Sequence, residues 1–272
     1  MDVKRIPFGL YAEGAIARLL VRPATRASYA ALVARARSLH GIPVGKLTRA
    51  HVEEALAEDA GAGRAPKSVE NLRRCLGTLL RKAGSKAADG IRVHVPDAQV
   101  RALGREEAER LRVALGDAAG GSLLDQALQV LLDTGLRLGE LRGLRPADWL
   151  RDRGVLLIRR GAAGATKSGR AREVDVPART VPALEAFLLR PGRVCPQALR
   201  RRLWAACEAA GLPRIRVHDL RHTRLTLLLL SGAPVLYVCG QAGHHSPAYT
   251  MAVYGHLVAA TPAQRRAWCE AA

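Results

Sequence analysis

Apolar residues recur three and four positions apart through most of this chain, the spacing of one helix face, and alternate like a strand only in short runs. The first stretch predicts four helices. Tyr11, Ala15, Leu19 and Leu20 form a stripe around 8–20. Thr25 is placed to cap a helix carrying Tyr29, Leu32, Val33, Ala36 and Leu39, and Thr48 to cap a third with Val52, Ala55 and Leu56 inward. A fourth follows Pro66, with Val69, Leu72, Cys75, Leu76 and Leu79 on one face. Gly84, Ser85, Gly90 and Pro96 then break the pattern, while Ile91, Val93 and Val95 alternate. The chain divides on pattern into a helical domain at 1–84, a linker at 85–99 and a second domain at 100–272. The first domain is small enough to have a thin core.

The second domain opens with a helix from Arg105 to Leu115. A longer one runs from Ser122 to about Asp133, with Leu124, Leu128 and Leu131 on its face. Gly135 is placed to stop it in the left-handed conformation. Arg137 then starts a new turn backed by Leu138, Leu141 and Leu144, and Glu140, three residues on, is in reach of its guanidinium. Val155 to Ile158 reads as a strand and Arg172 to Val176 as its return, stopped by Pro177, which puts Lys167 in the hairpin loop. Helices follow at 180–190 and 196–210, then an apolar helix headed by His218. Ser246 and Pro247 signal the N-cap and first position of a short helix ending at Tyr254, and Thr261 and Pro262 start a last one. The predicted class is mainly α: a small all-helical domain, then a mixed, mostly helical domain with a small antiparallel β-sheet.

Charge adds a partner to this picture. The 272 residues include 43 Lys and Arg against 24 Asp and Glu, a formal net charge of +19. A field of that size suits a polyanion, on which Lys and Arg release phosphate counterions. Compositional drift explains the dominance of arginine over lysine but not the excess of bases over acids. Lys67, Arg73 and Arg74 on the fourth helix and Arg200 and Arg201 on the 196–210 helix are candidate contacts to a nucleic-acid backbone, or simply solvated surface. Five cysteines, odd in number and without a CxxC pair, read as reduced thiols of a cytoplasmic protein. The apolar run at 225–230 is far too short to span a bilayer, so no membrane is expected. No HExxH or clustered-carboxylate motif suggests a metal.

The candidate chemistry concentrates near the C-terminus. His218 and Arg221, three apart at the head of a helix, lie side by side; His244 follows a glycine; Tyr254 ends a helix of its own. That set describes a phosphate site with a nucleophile beside it. Lys167 is the only lysine after Lys86, in a region crowded with arginine, and a lysine can release a proton where arginine cannot. The plain alternative is a loop lysine touching a phosphate, or nothing, and Arg137 and Glu140 taken without the other motifs read as an ordinary surface pair. Tyr237 and Tyr249 compete with Tyr254 for the nucleophile's place. His222 and His245 read as bystanders.

HDLRHT at 218–223, AGHHS at 242–246 and VYGHL at 253–257 resemble the C-terminal signature of the tyrosine recombinases, the phage integrase family. TGLRLGEL, with Arg137, and TKSGRAREV, with Lys167, match two upstream motifs in the same order. The resemblance implies the DNA breaking-rejoining fold, with an N-terminal core-binding domain. It implies that Arg137, Lys167, His218, Arg221, His244 and the nucleophile Tyr254 are catalytic, with Glu140 and His256 supporting. Two arginines would clamp the phosphate, His218 would take the phenol's proton, Lys167 would protonate the leaving 5′-oxygen, and His244 would donate a hydrogen bond. The product is a 3′-phosphotyrosine link, made without ATP, metal or other cofactor. The implied partners are double-stranded DNA with inverted-repeat core sites, a tetramer on two duplexes that passes through a Holliday junction, and accessory recombination proteins; the implied place is the cytoplasm, at the nucleoid. The tail helix with Trp268 would pack on a neighbouring protomer or on its own domain. An added N-terminal arm-binding domain is not expected. Ala242 replaces the usual leucine of LGH, and His245 a small polar residue. The alternatives are a type IB topoisomerase-like relaxing enzyme and a catalytically silent DNA-binding protein.

Overall fold

Helix stripes in the first ninety residues close on one another much as their spacing predicts. In the computed structural model, which describes residues 2–96, 101–117, 120–161, 164–165, 171–190, 194–244, 246–254, 266 and 269, the chain forms two units, Met1–Ala98 and Gln99–Ala272. The first contains α1 (Phe8–Ala17), α2 (Pro23–Val33), α3 (Arg49–Gly61) and α4 (Pro66–Lys82). Phe8, Val52, Leu72, Leu76 and Leu79 meet in its core, where the Tyr11 hydroxyl donates to the Leu79 carbonyl at 3.0 Å. Thr48 caps α3 as expected, accepting the His51 N–H. Thr25 does not cap α2: Pro23 occupies the first helical position, and its preset φ starts the helix ahead of the hydroxyl. Leu20 lies beyond the end of α1 and is fully exposed. Ala88 and Ile91, in the stretch read as linker, are buried in this same core, so the unit's packing extends past residue 84.

The second unit contains α5 (Arg105–Leu115), α6 (Leu123–Thr134), α7 (Leu138–Leu141), β1 (Trp149–Leu150), β2 (Val155–Ile158), β3 (Arg160–Gly161), β4 (Gly164–Ala165), β5 (Arg172–Asp175), α8 (Val181–Leu188), α9 (Pro196–Ala209), α10 (Val217–Leu230), α11 (Val235–Ala242) and α12 (Pro247–Tyr254). It is mainly helical, with a three-stranded antiparallel sheet in the order β1-β2-β5. The predicted hairpin is the pair β2–β5, in the register Val155↔Asp175 to Ile158↔Arg172. Helix α6 differs from its one-faced pattern. It is buried all round from Asp125 to Thr134, with α5, α8, α9 and α10 packed against it. Its polar residues tolerate this because they are bonded: Gln129 donates to the Gly116 carbonyl at 2.8 Å, and Asp133 accepts from Arg112, Arg179 and the Thr180 hydroxyl. Among the described residues, no helix is long and apolar enough to cross a membrane.

Candidate active site

The site is assembled from the ends of α6, α10 and α11, the strand β5, and α12. Gly135 ends α6 in the left-handed conformation, φ +68°, and the chain turns so that Arg137 becomes the N-cap of α7. Glu140 reaches back to that cap, accepting the Arg137 backbone N–H at 2.9 Å and its Nη1 at 2.8 Å. The expected Arg137–Glu140 pair is therefore present, but it is only half of the arrangement. Arg172 of β5 donates from Nη1 and Nη2 to the two Glu140 oxygens at 3.0 and 2.7 Å, and from Nε to the Gln241 carbonyl of α11 at 3.0 Å. One guanidinium thus ties α7, β5 and α11 together. Burial opposes the charge on Glu140, but the bonds from Arg172 and Arg137 outweigh it and hold the carboxyl at about 2.

Arg221 is buried on α10, its side chain stitching two distant stretches of chain. Nη1 donates to the Gly135 carbonyl at 2.8 Å, and Nη2 donates to the Ala242 carbonyl. Burial, with Arg137 nearby, lowers its pKa to about 10, which leaves it charged at neutral pH. Arg137, Arg172 and Arg221 together carry more positive charge than Glu140 neutralises. A phosphodiester is suited to take up the surplus through forked hydrogen bonds.

Gly243 ends α11 with φ +61°. The N–H groups of Gly243 and His244 close back on the Gly240 and Cys239 carbonyls, which swings His244 inward. A Cβ at position 243 would stand 2.9–3.0 Å from the Arg172 side chain. Gly243→Ala is therefore expected to cost about 2 kcal/mol or more through left-handed strain and displacement of Arg172, visible as a lowered unfolding temperature. The Ser246 hydroxyl then caps α12, accepting the Tyr249 N–H at 3.2 Å, with Pro247 in the first turn as the sequence predicts.

Helix α12 delivers Tyr254 into a small apolar cluster of Leu225, Leu229, Val238 and Ala242, where it is 1% exposed. Its hydroxyl lies 2.6 Å from His222 Nδ1. The family resemblance implies His218 as this phenol's partner and leaves His222 a bystander; in the structure the hydroxyl meets His222. The two imidazoles sit four residues apart on one face of α10, edge to face with centroids 4.8 Å apart, and His222 is the one turned toward α12. That four-residue spacing was the available sequence signal. Burial, with His218 beside it, pushes His222 down to about 4. The neutral imidazole accepts, and the phenol, pushed up to about 12 by burial, donates.

His244 is half-buried, with Nδ1 at 2.7 Å from the Thr250 hydroxyl. Burial and the nearby Arg221 and Arg137 push it down to about 4. His218 is more exposed, and it too is lowered by burial and by Arg221 and Arg137. The rival tyrosines separate by their contacts: Tyr237 donates to Asp175 at 2.7 Å and so bonds α11 to β5, while Tyr249 sits exposed with its ring edge-on to His244. Lys167, His245, His256 and Trp268 lie outside the described residues. Of the candidate backbone contacts, Lys67, Arg74, Arg200 and Arg201 are exposed. Arg73 is committed to Glu70 through bonds of 2.6 and 2.8 Å, and Arg200 lies over the Trp204 ring at 5.1 Å.

The three depressed histidines make stability depend on pH. Between the folded value of about 4 and the ordinary value of 6.5, His222 and His244 are neutral in the fold but charged in the unfolded chain. The unfolded state then binds more protons, so stability present above pH 6.5 is lost as pH falls toward 4. Calorimetry across that window should show a steeper fall in unfolding temperature for wild type than for His222→Gln, which cannot charge.

The Phage integrase family model matches residues 101–260. A Mycobacterium tuberculosis (strain H37Rv) protein named as a prophage phiRv2 integrase is 27% identical over 278 residues, an alignment covering 88% of this chain and 71% of that one. The tyrosine recombinase XerC of Corynebacterium efficiens is 28% identical, covering 64% of this chain and 60% of XerC. Among solved structures, the Tn1549 transposon integrase bound to a circular intermediate DNA superposes with a TM-score of 0.76 at 19% identity, covering 97% of this chain and 98% of that one. A lambda integrase tetramer bound to a Holliday junction gives 0.74 at 16%, covering 96% and 81%.

Proposed function

Since the chain belongs to the phage integrase family and is a tyrosine-type site-specific recombinase that breaks and rejoins DNA, we propose how its residues divide that work. Arg137 and Arg221 neutralise the scissile phosphate, Arg137 set in place by Glu140 and Arg221 by two carbonyls. The Tyr254 oxygen attacks phosphorus as the P–O5′ bond breaks, leaving a 3′-phosphotyrosine. The phenol's proton passes to the edge-to-face histidine pair, in which His222 makes the contact and His218 stands beside it. Lys167 protonates the departing 5′-oxygen, His244 donates to the phosphate, and His256 supports the tyrosine. The observation that carries this reading is the bond from the Tyr254 hydroxyl to His222 in a site whose arginines carry surplus charge.

Tyr254 is buried here, so α12 shifts when the phenol meets DNA. Two further parts of the reading concern assembly. The protein acts as a tetramer on paired duplexes through a Holliday junction; the fold it shares with a lambda integrase tetramer bound to a Holliday junction supports this. The first helical unit, whose packing extends past residue 84, is a core-binding domain that grips inverted-repeat DNA through Lys67 and Arg74, with Arg200 and Arg201 contributing from the catalytic domain. The protein works at the nucleoid.

Covalent trapping tests the chemistry. DNA from the protein's own genomic neighbourhood, nicked near candidate inverted repeats, is incubated with the protein and run on a denaturing gel. A retarded protein–DNA band is expected, and peptide mapping of it should place the nucleotide on Tyr254. Tight, sequence-specific binding with no band would support a silent DNA-binding protein instead.

A further inference from the structure

Thr250 occupies an unusual place between the nucleophile's helix and His244. It lies on α12 one turn before Tyr254, and its side chain is fully buried. Its hydroxyl has two neighbours: Cys239 Sγ of α11 at 3.1 Å and His244 Nδ1 at 2.7 Å. A hydroxyl has one proton to give. Imidazole nitrogen is a strong acceptor and thiol sulfur a weak one, so the arrangement that uses every group best runs from Cys239 S–H to the Thr250 oxygen and from the Thr250 O–H to Nδ1. A neutral imidazole that accepts at Nδ1 carries its proton on Nε2. Its charge neighbours are Arg221, Arg137 and Arg172, so this ring stands at the site where the phosphate is expected.

We propose that Thr250 is a positioning residue for DNA cleavage: its hydroxyl, oriented by Cys239, holds His244 as the Nε2–H tautomer, the form that donates a hydrogen bond to the phosphate. The opposite tautomer would present a lone pair to an anion and repel it. The inference rests on the proposed role of His244 as phosphate donor and adds the group that makes the donor available. Because the same threonine sits on α12, the helix that carries the nucleophile also sets the protonation of the phosphate ligand.

The test has two readouts. Long-range 15N–1H spectra of histidine-labelled full-length protein at pH 7, with the His244 signals assigned by loss in His244→Ala, report the tautomer without any DNA. Wild type and Thr250→Ser are expected to carry the proton on Nε2, and Thr250→Val to show a mixture. Trapping on nicked DNA is expected to slow about tenfold in Thr250→Val, one lost hydrogen bond, and to be largely restored in Thr250→Ser. In a His244→Ala background Thr250→Val should add nothing, since the threonine acts through that ring. An Nδ1–H tautomer in wild type, or an equal loss from Thr250→Val in the His244→Ala background, overturns the proposal. Failure of the underlying reading looks different: His244→Ala then cleaves as fast as wild type, whatever the tautomer.

Discussion

Tyr254→Phe is expected to bind DNA like wild type and to form no covalent adduct, with strand cleavage lowered by at least about a thousandfold. The change removes one oxygen and keeps the ring that packs on Leu225, Leu229, Val238 and Ala242. Folding should hardly notice. The hydrogen bond to His222 is lost, at about 1 kcal/mol, from an imidazole that stays neutral. The effect therefore falls on chemistry alone, which separates this variant from one that merely misfolds. The assay compares gel-shift affinity with the rate of covalent trapping on a nicked duplex. A persistent adduct would mean a different nucleophile, with Tyr249, exposed on the same helix, the next to replace.

Glu140→Ala should do the opposite and damage the scaffold first. This buried carboxylate takes bonds from the Arg137 backbone, the Arg137 guanidinium and both Nη groups of Arg172. Without it, two guanidiniums lose their partner in a region that already holds Arg221, and like charges are left facing one another. Breaking a buried pair from one side costs about 3–5 kcal/mol, so the catalytic unit's unfolding temperature should fall by about 10 °C. Cleavage should fall as well, because nothing then fixes Arg137. Removing Arg172 in the same chain should cost less than the two single losses added together, since the second change removes one of the orphaned charges. Strictly additive losses would mean that Glu140 and Arg172 do not act as a unit. The pair also has its own pH signature. The Glu140 carboxyl is held at about 2 against an ordinary 4.5, so its stabilisation is complete above pH 4.5 and is lost as pH falls from there toward 2.

Much of this was legible in the order of residues. Where a feature depends on near neighbours, sequence carries it. The caps at Thr48 and Ser246, the left-handed stop at Gly135, the turn that makes Arg137 an N-cap and the Arg137–Glu140 bond all involve residues within five positions of one another. The run of helices follows from apolar period, and the β2–β5 hairpin from two short strand-like runs with Pro177 as the stop. Local competition explains the misplaced start of α2, where a proline two residues earlier overrode the threonine cap.

The residue types of the site, the order of its motifs and the helical class were thus determined by the sequence, because each rests on local geometry or on the chemistry a side chain can perform. Tertiary structure alone decided which of those groups touch. Arg172 reaches Glu140 across 32 positions and Arg221 reaches the Gly135 carbonyl across 86. The tyrosine hydroxyl chooses His222 rather than His218 only once α12 is folded against α10. No spacing rule ranks two imidazoles on one helix face until the opposing helix is in place. Likewise, α6 looks one-faced in sequence because its buried polar residues are satisfied by groups that only the fold brings near, as Arg179 and Thr180 are brought to Asp133.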